Sequence, residues 1–381
     1  MPDAEGPLAG LLVADFSRVL AGPLAAMLLG DLGADVIKVE RPDGGDDTRA
    51  WGPPWRDEVS TYYLALNRNK RSVALDLTDE GDRRLARTLA TRADVLVESF
   101  RPGLMASWGL DGDTLRKANP GLVSCSVTAF GTAPEAKGLP GYDFLLQAMG
   151  GLMAVTGEPD RPPLKAGTAV VDLVCGLLAA NGIQAALVER ARTARGRHVE
   201  VSLMDSALTT LLNQATAWVA GGVRPQRGGN RHPSIVPYEL YEAADRPIVI
   251  AAANDRLFAR VCEAVGLPEL AADPRFASNE ARVANVDALA EALNAVLRER
   301  PAEHWIETLQ AASVPAGFVN EVDEAFALAE RLGMEPTEEH GGLPLIRPPL
   351  RLDGERPPIR RAPPALDEHG DDLRAWLARG A

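Results

Sequence analysis

Residues 164–205 read LKAGTAVVDLVCGLLAANGIQAALVERARTARGRHVEVSLMD. A short apolar run (168–171) meets Asp172, about twenty residues of unbroken helical pattern follow (173–192), and ARGR then leads to a strand-like run at 198–203. Asp172 is thus a lone carboxylate among valines and leucines, placed where loop becomes helix. The unpaired N–H groups and positive dipole end of a helix start favour a carboxylate there, so the ordinary reading of Asp172 is a helix cap.

Working outward, residues 8–16 are mostly apolar with little alternation, as a buried parallel strand should be. SRVLAGP (17–23) follows, with Pro23 suited to a first helical turn. A helix is expected at 24–32, ended by Gly33, and DVIKVE (35–40) is a second strand. This strand–helix–strand unit implies a right-handed crossover in a parallel sheet. Further strands are expected at 73–77, 94–100 and 122–130, with an amphipathic helix at 79–92 that Thr78 can cap. The fold class is α/β, with a Rossmann-like large domain. VRPQRGGNRHPSIVPY (223–238) shifts the composition to Gly, Pro and basic residues and marks the crossing into a smaller α/β domain. That domain holds a strand at 247–252 and helices at 255–265, 286–299 and 302–312. The expected division is 1–222 for the large domain, 223–330 for the small one, and 331–381 for a returning segment. This last part has an extended proline-rich run (343–364) and a final helix. The Pro/Gly-rich stretch 41–69, with Trp51 and Trp55, is too long for a plain connection and reads as functional.

The chain has 381 residues and a net charge of −13, which argues against a general nucleic-acid or anionic-membrane surface. No run reaches the length of a membrane span on this reading, and residues 1–6 lack a basic and apolar leader pattern, so a cytoplasmic enzyme is expected. Cys125, Cys175 and Cys262 are scattered among apolar residues without a CxxC or His/Cys cluster, so buried free thiols and no metal site are expected. Glu40 ends the second strand where a ribose-binding acid of a dehydrogenase would stand. The turn before it, however, offers only Gly22 and then Pro23 in place of GxGxxG, which disfavours a nicotinamide cofactor.

PGYDFLLQAMGGLMAVTGEP (140–159), VVDLVCG (170–176) and ARGRHVEVSLMDSAL (194–208) resemble the class III CoA-transferase family, the formyl-CoA transferase and carnitine-CoA transferase group. The resemblance extends from about residue 8 to the C-terminus. It implies that Asp172 is a nucleophile and that Val19, Leu20 and Ala21 contact coenzyme A. It places Asn69, Lys70 and Arg71 of NRNKRS at the coenzyme A site, with Arg101 of the F-R-P-G turn on a phosphate and Tyr142 nearby. Ser107 and Trp108 stand where relatives often carry an arginine before a bulky residue, which leaves more of the phosphate role to Arg101 and Lys70. The family implies no permanently bound cofactor, coenzyme A and acyl-CoA being substrates, a small carboxylic acid as the other partner, and an interlocked homodimer. Succinyl-CoA or another short dicarboxylyl-CoA is the expected donor, with Arg231 of GGNRHP a candidate for the distal carboxylate. Gly150–Gly151 and Gly228–Gly229 are candidates for oxyanion donors, since glycine admits close backbone approach. The alternative is an α-methylacyl-CoA racemase-like isomerase using Asp172 and Glu242. Those relatives carry His-Asp where this chain has Tyr142–Asp143, which favours the transferase. A non-catalytic acyl-CoA-binding protein is a third reading.

Overall fold

The computed structural model describes residues 5–136 and 138–379; residues 1–4, read above for a leader, lie outside it. The chain divides into two units: Met1–Met153 with Lys165–Val223 and Glu335–Ala381, and Ala154–Leu164 with Arg224–Met334. Residues 154–164, expected within the large domain, belong with the second unit.

The first unit is built in chain order from strand β1 (Leu12–Asp15), helix α1 (Ala21–Asp31), β2 (Asp35–Glu40), β3 (Lys70–Ala74), α2 (Glu80–Arg92), β4 (Val95–Glu98), β5 (Val123–Thr128), α3 (Asp143–Met149), α4 (Val170–Thr193), β6 (His198–Ser202) and α5 (Leu203–Thr210). The six strands form one sheet in the order β3-β2-β1-β4-β5-β6, every pair parallel. Chain direction across the sheet reverses between β1 and β4. In open parallel sheets the crevice beyond the carboxyl ends of two such strands is where ligands bind.

Apolar side chains decide which face each helix takes. Val13, Val95, Val97, Val123 and Cys125 meet α1 and α4 on one side. Leu12, Ile37, Leu75 and Leu96 meet α2 and the C-terminal helix Gly370–Ala378 on the other. Burying each such side chain is worth about 1.5–3 kcal/mol, which makes these layers the foundation of the unit. Gly176 allows α4 to close on α1: a Cβ there would lie 2.7 Å from the Ala21 carbonyl oxygen and 2.9 Å from Leu24. That close approach brings the start of α4, and so Asp172, beside the start of α1. The cap of α2 is Asp79, whose carboxylate accepts from the Asp82 N–H, and not Thr78, whose hydroxyl turns back to Asp76.

One expectation is corrected by this core. By length and composition α4 is apolar enough to cross a membrane, contrary to the reading that no run is. It lies against α1 and the sheet, its buried face including Val171, Cys175, Ala179 and Ile183, as a core helix of a globular unit does. The same core shows how the basic cluster is held. β3 begins at Lys70, not at residue 73, so Asn69, Lys70 and Arg71 stand where the strand starts. The Lys70 ammonium is fully buried and donates to Asp15, to Asn67 and to the Pro23 carbonyl. Asn69 donates to Asp31 and accepts from the N–H groups of Arg360 and Arg361, which fastens the returning segment. Arg71 is paired with Asp35 at the start of β2. All three thus have partners within the protein itself. Asn69→Ala is therefore expected to lower stability by about 2–4 kcal/mol, through buried N–H groups left unpaired. Denaturant titration reads that loss, and the KM for acyl-CoA should stay within about twofold; a tenfold rise in KM with unchanged stability would return Asn69 to the ligand.

The second unit holds a three-stranded antiparallel sheet in the order Ala316–Phe318, Pro247–Ala251, Tyr238–Glu242. Helices Asp255–Ala264, Val286–Leu297 and Ala302–Ala311 share its core through Phe258, Leu293 and Leu309. Arg282 is fully buried there and donates to the carbonyls of Val236 and Phe276 and to Asp255. Arg231 is paired with both Glu239, at 2.8 Å, and Asp287, at 2.6 Å. Its guanidinium is thus paired twice within its own unit.

Candidate active site

A cavity of about 230 Å³ opens at the point where the strand order reverses. Its walls are the turn Arg18–Gly22 after β1, the turn Ser99–Pro102 after β4, the end of β5, Tyr142 at the start of α3, and Asp172.

Asp172 is the third residue of α4 and does not cap it. That work is done by Asp143 of α3, whose Oδ1 accepts from the N–H groups of Val171, at 2.9 Å, and of Asp172, at 3.2 Å. Gln147, one turn along α3, fixes Asp143 by donating to its Oδ2 at 2.6 Å, while accepting from the Ala166 N–H at 2.8 Å. The Asp172 carboxylate is left without a hydrogen bond or ion pair from any described residue, although the residue is only 8% exposed. Burial first, and the neighbouring Asp143 second, push its pKa up to about 7. A buried carboxylate without a partner is destabilising, and such arrangements concentrate at functional sites. Tyr62 feels the same charge: burial, then Asp172 and Asp143, push its phenol up to about 12. The ring of Tyr62 packs edge-on against Trp51, so the long loop does reach this neighbourhood.

Of the residues singled out from sequence, Val19, Leu20, Ala21, Arg101, Tyr142 and Asp172 line one cavity, and Asn69, Lys70 and Arg71 do not. Arg101 is exposed and makes no ion pair among the described residues. Arg18, which sequence reasoning passed over, stacks on Phe100 at 5.2 Å and shares Asp47 with Arg41. Asp143 and Gln147 were also passed over, though their spacing of four on a helix beside the quoted motif was a readable sign. Gly150–Gly151 and Gly228–Gly229 are not among the residues that line this cavity. Gly150 packs against Ala207, and Gly229 of the second unit sits against Glu158. Cys175 is fully buried, and burial pushes its thiol up to about 12 despite the Ser206 hydrogen bond, so it stays protonated at neutral pH. Glu40 is held by Arg49 and Ser72 and is not presented to a ribose. Among the described residues no group of three or more His, Cys, Asp or Glu is placed to hold a metal ion.

An unpaired carboxylate titrating near neutrality, in the switch-point cavity of a doubly wound sheet, is the arrangement of an enzyme active site. The sequence pattern of CoA-transferase family III matches residues 8–370, and the chain belongs to that family. It is 42% identical to an acetyl-CoA:oxalate CoA-transferase of Acetobacter aceti, over 98% of this chain and 96% of that protein. It is 39% identical to a succinate–glutarate CoA-transferase of Agrobacterium fabrum, over 99% and 97% of the two chains. Among solved structures, a CaiB/BaiF family protein from Brucella suis superposes with a TM-score of 0.87 at 42% identity, covering 98% of this chain and 99% of its own. The protein is a CoA-transferase, and coenzyme A thioesters are its substrates.

Proposed function

We propose that this enzyme moves coenzyme A from a short dicarboxylyl-CoA donor such as succinyl-CoA to a carboxylic acid acceptor, with Asp172 as the group that accepts first acyl and then coenzyme A. The observation that carries this reading is that Asp143 has taken over the helix-capping work, which leaves the Asp172 carboxylate unpaired and facing a cavity. In the first step that carboxylate attacks the donor thioester carbonyl and expels coenzyme A thiolate, giving a mixed anhydride. The thiolate attacks the aspartyl carbonyl of the anhydride, releases the donor acid as its carboxylate, and leaves an aspartyl thioester. The acceptor carboxylate attacks that thioester and expels thiolate again. Attack of the thiolate on the acceptor's acyl carbon forms the new acyl-CoA and frees Asp172. Each step exchanges one acyl bond for another of comparable energy, so neither ATP nor a metal is required. The relatives' names, acetyl-CoA with oxalate in one and succinate with glutarate in another, support short acids with a dicarboxylic acid in each pair.

Incubation with a donor acyl-CoA and no acceptor, followed by hydroxylamine or borohydride trapping and mass spectrometry, tests the mechanism. An adduct on the peptide containing Asp172 is expected; an adduct on Cys175, or none, sinks it. Transfer of label from a panel of acyl-CoA donors to a panel of free acids identifies the substrates. In deuterated water no exchange of an α-proton is expected, which separates the transferase from an isomerase using Asp172 and Glu242.

Arg101 and Arg18 border the cavity and suit the phosphates of coenzyme A, as do the turn residues Val19, Leu20 and Ala21 and the exposed ring of Tyr142. A charge-assisted hydrogen bond is worth roughly 1.5–3 kcal/mol. Arg101→Ala should therefore raise the KM for acyl-CoA by about ten- to a hundredfold with kcat little changed, and steady-state kinetics at two salt concentrations will show it. The exposed apolar side chains Leu173 and Leu177 of α4, Leu208 of α5, and Trp218 support a second copy of the chain covering this face. Analytical ultracentrifugation giving a monomer at micromolar concentration would count against it. Three buried, unpaired cysteines suit a reducing compartment, and we place the enzyme in the cytoplasm.

A further inference from the structure

We infer that Lys38 and Asp46 are positioning residues for coenzyme A, a fully buried pair that holds the turn between β1 and α1 in a conformation the chain would otherwise avoid. The inference rests on the reading that the cavity beside Asp172 takes coenzyme A.

The starting observation is Val19. Its φ is +71°, and among the described non-glycine residues with positive φ it is the β-branched one. A side chain branched at Cβ crowds the carbonyl in the left-handed region, so an unrestrained valine populates it at least about tenfold less than its ordinary conformations. The strained residue lines the cavity, together with its neighbours Arg18, Leu20, Ala21 and Gly22.

What holds Val19 there lies behind the turn. The Lys38 ammonium, on β2, donates to the Ser17 carbonyl at 3.0 Å and to Asp46 Oδ2 at 2.8 Å. Asp46 Oδ1 accepts from the Val19 N–H at 3.3 Å and from the N–H and hydroxyl of Thr48, at 3.0 and 2.8 Å. The pair thus grips the peptide groups on both sides of Arg18, just ahead of the strained φ. Neither side chain has any exposure, and neither lines the cavity. A second buried pair secures the ends of the same turn. Asp15 accepts from the Ser17 N–H and hydroxyl and from Lys70, and Lys70 also donates to the Pro23 carbonyl.

Buried ion pairs are poor stabilisers: replacing both partners with uncharged groups of similar size is often neutral for stability. Their worth here is geometric. The turn is set before ligand arrives, with α1 uncapped by any side chain and its first residues at the cavity wall, so binding does not have to order it.

Two experiments separate this inference from the site reading beneath it. In the first, hydrogen–deuterium exchange of the wild-type peptide covering residues 16–22 is followed with and without free coenzyme A. Slow exchange in the ligand-free enzyme, slowed further by coenzyme A, is expected. If coenzyme A changes nothing there, the cavity is not its site and both readings fall. If the peptide exchanges freely until coenzyme A is added, the site stands, but the ligand and not the pair orders the turn, and the inference is overturned. The second experiment removes both charges together, as Lys38→Met with Asp46→Asn, so that no lone charge is left buried. With far-UV circular dichroism unchanged, calorimetric titration should show the Kd for coenzyme A raised about tenfold. Adding Val19→Gly, which enters the left-handed region without strain, should bring it back to within about threefold. Affinity within twofold of wild type in the folded double variant, or a loss that Val19→Gly does not recover, overturns the inference. Should the double variant not fold, the wild-type exchange measurement decides alone.

Discussion

Asp172→Asn is expected to abolish coenzyme A exchange and, above neutral pH, to make the protein more stable. The first half follows from the proposed chemistry: an amide cannot attack the thioester, and removing a covalent nucleophile lowers turnover by on the order of 10⁴-fold or more. The second half follows from linkage. Burial and Asp143 raise the folded-state pKa of Asp172 from 3.8 to about 7. Between those two values the folded protein binds a proton that the unfolded chain has released, so the wild type loses stability as pH rises through this window. At 1.36 kcal/mol per unit the loss approaches at most roughly 4 kcal/mol above pH 7. An asparagine has no such charge to bury. Its stability gain over wild type should be largest at pH 8 and shrink steadily as pH falls to below 3.8, where both forms of the wild-type protein hold the proton. Parallel denaturant titrations at several pH values measure this, and labelled coenzyme A exchange measures the activity. A variant that loses stability at pH 8, or keeps turnover, contradicts the reading of an unpaired nucleophile.

The second large effect is on the pH–rate profile. The nucleophile must be ionised, so the rate of the first half-reaction should climb about tenfold per pH unit below neutrality and level off above an apparent pKa near 7. Asp143→Asn keeps an acceptor for the N–H groups of Val171 and Asp172 but removes the negative charge that contributes to the shift. Its rising limb should move to lower pH, with the start of α4 intact. Stopped-flow kinetics with a single donor acyl-CoA gives both profiles. A rate that is flat from pH 5 to 8 would mean that Asp172 is not the group that titrates.

Much of this architecture was legible in the chain. The apolar runs at β1, β2, β4 and β5 are those of strands buried on both faces, and the helical period of α4 is unbroken for six turns. These signals are local, since each depends only on which side chains follow one another. The motif around Asp172 and the turn residues Val19, Leu20 and Ala21 could likewise be picked out, because the resemblance is carried by contiguous residues. The internal partners of the basic cluster were not legible, for a physical reason. A lysine and an asparagine near the surface of a sequence pattern look solvated until a buried Asp15 and a returning segment some 290 residues away are brought against them.

By itself, then, the chain determined the elements, the family they belong to and the one acidic residue worth watching. What only tertiary structure decided is the state of that residue. Whether Asp172 caps its helix or stands unpaired depends on Asp143 arriving from α3, and how near it lies to the turn after β1 depends on Gly176 letting two helices touch. Hydrogen bonds and desolvation act between groups that are neighbours in space, and a linear pattern carries that information only through the fold it specifies.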